Sequence, residues 1–270
     1  MKITFLGSGS AFVLGHENYH SNILIEDDYT SYDENDEGHY QYVNLLFDAG
    51  TTIPDALYAQ RVDPTKIQNI FISHNHADHS GGMEYLGFKN YFSTFPFGEN
   101  KPTVYAHCRV LHELWENSMK AGMKYLSGSE ASMRTYFKTS TVDTFGSFAL
   151  GKHIACEMTP TKHVDSGTQR MPSFGLKLHT INKNVFITGD CQMMDPLVYK
   201  TQDLIFHDCE VADYPNSVHA QYRELVKLPE AIKAKMWLYH YNTNDGEVQL
   251  PDARADGFLG FVRRGDKFDI

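Results

Sequence analysis

A chain of 270 residues, 41% hydrophobic and 13% aromatic, holds enough apolar side chain for one large core or two smaller ones. Acidic residues outnumber basic ones by 34 to 24, and a formal charge of -10 excludes a surface built to grip long nucleic acid, whose phosphates need clustered Lys and Arg. No apolar run approaches the roughly 20 residues of a membrane span, and MKITFLGSGS lacks the charged start and long apolar stretch of a secretory signal; a cytoplasmic protein with no membrane partner is expected.

The first strand, residues 2–6, stops at Gly7-Ser8-Gly9-Ser10. This loop lacks the lysine and long following helix of a phosphate-cradling P-loop, so it reads as a tight turn bordering a site. Residues 21–26 (SNILIE) and 43–47 (VNLLF) form a predicted strand pair that ends at Asp48-Ala49-Gly50. Between them an acidic, tyrosine-rich insertion, 27–42, reads as a solvated hairpin or flap. Asp48, just past a strand end, is suited to orient a metal-bound histidine from behind. A short helix over 53–60 and a turn at Pro64 lead to Ile70-Phe71-Ile72, an apolar run that fits a buried strand.

That strand empties into Ser73-His74-Asn75-His76-Ala77-Asp78-His79, ahead of Gly81-Gly82. Imidazole nitrogen and carboxylate oxygen are ligands of borderline-soft metals such as zinc, and a tight loop can aim alternate side chains at one point. The pattern H-x-H-x-D-H therefore supplies two neighbouring ions, with His74 and His76 on one and Asp78 and His79 on the other.

A helix is predicted over 82–92, followed by an aromatic loop. Phe88, Tyr91, Phe92, Phe95 and Phe97 offer either an apolar shelf for a base or packing in the core or a subunit interface. A strand at 103–107, a helix at 109–121 and a helical segment at 130–137 follow. His107 and His112 have no other ligand types beside them and read as structural. Strands at 153–159, 174–179, 184–188, 203–208 and 236–240 each run out into a histidine or an aspartate, and loops at one edge of a rigid sheet gather residues that are distant in sequence. Two such halves predict an α/β fold of two sheets packed face to face with helices outside. No linker or fixed-period repeat divides 1–270, so a single domain is expected. Cys108, Cys156, Cys191 and Cys209 are widely spaced with no C-x-x-C pair, and read as reduced thiols.

S-H-N-H-A-D-H-S-G-G at 73–82, the isolated His163, T-G-D at 188–190 and a strand closing on His240 resemble the metallo-β-lactamase fold of metal-dependent hydrolases, over essentially the whole chain. The resemblance implies a four-layer αββα sandwich with two divalent metals at one edge. It assigns His74, His76 and His163 to the first metal, Asp78, His79 and His240 to the second, and Asp190 as the bridge. Zinc is the expected metal, manganese the alternative. SVHA around His219 and the closing MWLYHY are similar to the ribonuclease Z branch, whose members are phosphodiesterases. HDCE at 207–210, VHAQY at 218–222, LPEAIKAKMWLYHY at 228–241 and DGFLGFVRRG at 256–265 resemble the anti-Pycsar proteins. Those are phage enzymes, with bacterial relatives, that hydrolyse cyclic mononucleotides such as cyclic CMP and cyclic UMP and so silence an antiviral signal. The insertion at 27–42 falls outside that pattern. The resemblance alone implies a homodimer, working in the host cytoplasm if the gene is a phage's.

A phosphodiester resists hydrolysis because its anionic oxygens repel a nucleophile and its alkoxide leaves poorly. Two metals roughly 3.5–4 Å apart acidify a water and neutralise charge on the phosphoryl oxygens. Asp190 would fix the metal separation and Asp78 would also orient the nucleophile. His219, outside the ligand set and near the strand end at Asp208, would protonate the departing sugar oxygen. Asp208 and Glu210 could each hold His219 in its useful tautomer, with Cys209 facing the other way; His207 reads as structural. The expected reaction converts 3′,5′-cyclic mononucleotides, pyrimidine and purine, to nucleoside 5′-monophosphates. A tRNA 3′ endonuclease of the ribonuclease Z type is an alternative, but it would need a protruding basic arm that this sequence lacks. A lactonase or thioesterase could use the same metal loop.

Overall fold

The computed structural model describes residues 1–14, 18–32, 37–213, 217–243 and 248–270. Among these, two seven-stranded mixed sheets carry the fold. In spatial order the first comprises Lys267–Asp269, Lys2–Phe5, Ile23–Tyr32, Gly38–Phe47, Asn69–Phe71, Thr103–Ala106 and Lys138–Thr141. The second comprises Gly260–Phe261, Met236–Tyr239, Leu204–Asp208, Asn184–Ile187, Phe174–His179, Ile154–Pro160 and Ser147–Leu150. The predicted face-to-face arrangement is present: Phe5 of the first sheet meets Phe206 of the second at 5.0 Å between ring centroids, and Tyr105 stacks on Phe148 at 4.0 Å. Phe5 and Phe206 are fully buried, and each such side chain contributes about 1.5–3 kcal/mol relative to exposure.

Strand periodicity decides which residues reach which layer. Along Leu204–Asp208, Phe206 joins the core between the sheets, whereas Ile205 turns outward against Leu225, Ile232 and Phe258. The second sheet is thus covered on both faces, which explains why Leu238 and Tyr239 are adjacent and both buried. Helices Ile53–Ala59 and Met83–Tyr91 cover the first sheet through Ile53, Ala56, Leu57, Met83 and Leu86. Helix, sheet, sheet and helix make the expected αββα sandwich. Among the described residues no helix is long and apolar enough to cross a membrane.

Several boundaries differ from the sequence reading. Strands Ile23–Tyr32 and Gly38–Phe47 pair antiparallel from Ile23↔Phe47 out to Tyr32↔Gly38, so the acidic insertion prolongs two core strands into solvent; its residues 33–36 lie outside the described residues. The helix expected over 109–121 is interrupted: Cys108–Leu114 gives way to a π-helical turn at Trp115–Met119 before Lys120–Met123. The segment at 130–137 keeps one helical turn, Met133–Tyr136, after a small hairpin turning at Gly128. Lys138–Thr141 and Ser147–Leu150 escape the pattern because edge strands are short and, in the first case, polar.

Candidate metal centre

The strands Gly38–Phe47, Asn69–Phe71 and Thr103–Ala106 run parallel, as do Asn184–Ile187, Leu204–Asp208 and Met236–Tyr239. Their carboxyl ends therefore fall at shared edges, and the candidate residues follow directly: Asp48, the 73–79 loop, Asp190, Asp208 and His240. Asp48 and His240 take left-handed backbone at φ 61° and 62°, as does Gly189 at 60°. Non-glycine residues rarely do so, and such strain persists only where the surroundings hold it. Gly50 is required for a different reason: a Cβ there would lie 2.0 Å from the carbonyl oxygen of Asp78 and 2.8 Å from His20 Nδ1.

Two ligand sets result. In the first, His76 Nδ1 lies 3.0 Å from His74 Nε2 and 3.2 Å from His163 Nε2. Asp190 Oδ2 closes this set at 3.8 Å from His74 Nε2 and 3.6 Å from His163 Nε2. In the second, His79 Nε2 is 3.1 Å from Asp78 Oδ2, and His240 Nε2 is 3.3 Å from the same oxygen. Asp190 Oδ1 completes it, 3.1 Å from His79 Nε2 and 3.2 Å from His240 Nε2. Tetrahedral ligands about 2.0–2.1 Å from a zinc ion lie roughly 3.3 Å from one another, which matches both sets. The two oxygens of Asp190 thus serve different clusters.

Behind these atoms the other ring nitrogens are held. His79 Nδ1 donates to Asp48 Oδ2 at 2.7 Å, and Asp48 also accepts from the backbone N–H and hydroxyl of Ser73. His163 Nδ1 donates to the Val218 carbonyl at 3.0 Å, His240 Nδ1 to Asp208 Oδ1 at 3.2 Å, and His74 Nδ1 lies 3.0 Å from Ser73 Oγ. A proton fixed on Nδ1 leaves Nε2 as the lone-pair donor that a metal needs. Asp48→Asn should turn an N–H toward His79 Nδ1 and reverse its tautomer. The expected result is a second-site affinity about 10–100-fold weaker in metal titration, with the first site retained.

Whether these residues suit divalent cations is tested by their unmet needs. His79 Nε2 and Asp190 Oδ1 are buried and lie 3.1 Å apart, with Asp78 and His240 similarly near, yet neither atom makes a hydrogen bond. Buried polar atoms are seldom left so. Burial works against charge throughout, but Asp190, Asp78 and Asp48 hold His79 well above its ordinary value. The surrounding histidines, His240 and His79 foremost, overcome burial to hold Asp190 well below its own. Such mutual dependence marks a pocket that calls for positive charge. Asp208, His219 and His240 also converge, but through Nδ1 hydrogen bonds, so Asp208 orients rings.

The ligand sets open into a cavity of about 800 Å³ whose walls include Phe12, His20, Thr51, Glu210, His219 and Asn242. His219 Nδ1 donates to Asp208 Oδ2 at 2.8 Å, and Asp208 accepts further from the Cys191 N–H at 2.9 Å. This decides between the two carboxylates, because Glu210 Oε1 instead accepts from the Ala212 N–H. Burial lowers His219, but the charge and hydrogen bond of Asp208, with Asp190 behind it, raise it above its ordinary value overall. His207 accepts from the Tyr199 hydroxyl at 2.6 Å and donates to the Asp208 carbonyl at 2.7 Å, a buried brace for this strand end. His107, expected to be structural, caps helix Cys108–Leu114 and stacks on Phe174.

Two wall residues carry no signal in the sequence. His20 is buried beside Asp78, held below its ordinary value by burial, with its backbone N–H bonded to Thr52 Oγ1. Phe12 is 84% exposed and lies against the cavity. By contrast, Phe88, Tyr91, Phe92, Phe95 and Phe97 pack on one another and on Tyr136, away from the ligand sets. None of these five rings lines the cavity, whereas Phe12 does.

The family model for anti-Pycsar protein Apyc1 matches residues 1–268. An anti-Pycsar protein Apyc1 of Paenibacillus harenae is 29% identical over 253 residues, spanning 92% of this chain and 93% of its own. That of Bacillus phage BSP38 is 30% identical over 252 residues, 90% of each chain. Among solved structures, the metallo-beta-lactamase fold protein YhfI from Bacillus subtilis superposes with a TM-score of 0.67 at 16% identity, covering 99% of both chains.

Proposed function

The chain belongs to the anti-Pycsar protein family and has the metallo-β-lactamase fold; from that premise we propose that it is a dinuclear metal-dependent phosphodiesterase that hydrolyses 3′,5′-cyclic mononucleotides to nucleoside 5′-monophosphates. The observation that carries this reading is the divided carboxylate of Asp190, one oxygen toward His74 and His163 and the other toward His79 and His240. His74, His76 and His163 would hold one cation and Asp78, His79 and His240 the other. When bound, two divalent cations, zinc by this nitrogen-rich donor set, supply an acidified water and positive charge beside the phosphoryl oxygens.

The chain's own groups supply the rest. Asp78, part of the second set and on the cavity wall, is suited to orient the attacking water as well as to bind. His219, protonated on Nδ1 toward Asp208, faces the cavity and would give its Nε2 proton to the O3′ alkoxide as it leaves. The exposed ring of Phe12 offers a stacking face, which tolerates either purine or pyrimidine. An overall charge of -10 with no basic arm favours a substrate small enough to be held by the cations and one ring. Lowering such a nucleotide inside an infected cell would oppose the signal the family is named against.

Zinc-loaded protein incubated with cyclic CMP, cyclic UMP, cyclic AMP and cyclic GMP should release 5′-monophosphates, identified by chromatography. Chelation should abolish the release and added zinc restore it. Precursor tRNA cut efficiently while all four cyclic nucleotides stay intact would overturn this reading in favour of the endonuclease.

A further inference from the structure

Among the described residues, the assignment of Asp208 to His219 leaves one carboxylate on the cavity wall with no part in metal binding or in holding the proton donor. The cavity is lined by Asp78, Asp190 and Glu210, and the first two belong to the ligand sets. Glu210 lies two residues beyond Asp208 in extended chain, so both side chains leave the same face while Cys209 turns into the outer core. Its position is fixed on both sides: its N–H donates to the Ala220 carbonyl at 2.8 Å, and its carbonyl accepts from the Tyr222 N–H at 2.9 Å. The carboxylate is thereby anchored beside the segment that begins with His219, and its Oε1 is steadied by the Ala212 N–H at 2.8 Å.

A 3′,5′-cyclic ribonucleotide has one free sugar hydroxyl, on C2′, vicinal to the oxygen that leaves from C3′. A histidine that protonates O3′ necessarily stands next to the 2′-hydroxyl as well. Among the described residues, the wall carboxylate that belongs to neither ligand set is Glu210. We propose that Glu210 accepts a hydrogen bond from the substrate's 2′-hydroxyl and so makes the site select ribo- over 2′-deoxyribonucleotides. This rests on the cyclic-nucleotide reading above, with His219 at O3′. A site built to accept from a hydroxyl disfavours the analogue that lacks it, because the half-buried acceptor then loses its partner.

The test compares kcat/KM of the zinc-loaded protein for cyclic AMP with that for its 2′-deoxy and 2′-deoxy-2′-fluoro analogues; fluorine fills the space of the hydroxyl but cannot donate. Wild-type protein should prefer the ribose form by about tenfold to a hundredfold, the span of a charge-assisted hydrogen bond. In Glu210→Ala the preference should collapse toward one. Glu210→Gln, which keeps an oxygen for the Ala212 N–H, should show a clearly reduced preference and serves if the alanine variant does not fold. A variant that still binds two metals, still hydrolyses cyclic AMP and keeps the full wild-type preference overturns the proposal, as does wild-type protein that hydrolyses all three sugars equally. Failure of wild-type protein to hydrolyse any of them overturns the cyclic-nucleotide reading itself, and this inference with it.

Discussion

Replacing Asp190 by asparagine is expected to weaken both cation sites, one of them severely, and to lower cyclic-nucleotide hydrolysis by at least about 10³-fold, since a water that loses its cations regains a pKa near 15.7. The carboxylate gives Oδ2 to one ligand set and Oδ1 to the other. An amide can give an oxygen to one set alone and turns an N–H donor into the other. His163→Ala, which removes a nitrogen from the first set only, should leave the second occupied. Metal analysis should therefore read about two ions per chain for wild type, close to one for His163→Ala and fewer for Asp190→Asn. Proton release provides a second measurement. In the metal-free protein burial pulls His240 down, but Asp190, Asp208 and Asp78 raise it to about 10, so it is protonated at neutral pH. A cation must displace that proton, and apparent affinity should rise with pH over the neutral range. Wild-type protein that takes up a single ion in excess metal, or Asp190→Asn protein that binds two, would sink the bridging role.

How far the sequence could be read follows from how local each signal is. His74, His76, Asp78 and His79 share one loop, and ligand chemistry with spacing was enough to divide them into two pairs. His163, Asp190 and His240 lie in separate loops; their places after strand ends drew attention to them, a family resemblance gave them ligand roles, and the parallel strands of the second sheet bring the last two to one edge. Asp208 and Glu210 could not be ranked, because residues two apart on a strand share a face and only the fold shows which oxygen meets His219. His20 and Phe12 were silent for another reason: each lies in an irregular segment with no periodicity to mark it. For the rings of 88–97 the sequence left a base shelf and internal packing as equal choices, since aromatic composition does not say which side of a helix a loop will cover; the structure shows them packed on one another and on Tyr136. In the fold, buried strands announced themselves as apolar runs, whereas Lys138–Thr141 and the closing Lys267–Asp269, polar edge strands, did not.

Alanine in place of His219 is expected to lower kcat for cyclic nucleotides by about 10²- to 10⁴-fold, the usual contribution of a positioned proton donor, while both cations stay bound. The ring contributes no atom to either ligand set that includes His79 or His76; its Nδ1 is committed to Asp208 Oδ2 at 2.8 Å. A sugar alkoxide needs a proton as it departs, whereas nitrophenolate does not. A nitrophenyl phosphodiester should accordingly lose far less activity in the variant than cyclic AMP does. The pH profile carries the same information with a definite sign. Because the charge and hydrogen bond of Asp208 work against burial to raise His219, the donor stays protonated at higher pH than it would without that carboxylate, and kcat should fall as pH rises through its pKa. Asp208→Asn removes the largest raising charge, so the alkaline fall should shift to lower pH; metal content checks that His240, which also bonds Asp208, still holds its cation. Equal losses on the two leaving groups, or an alkaline limb that does not move in Asp208→Asn, would show that His219 does something other than protonate the leaving oxygen.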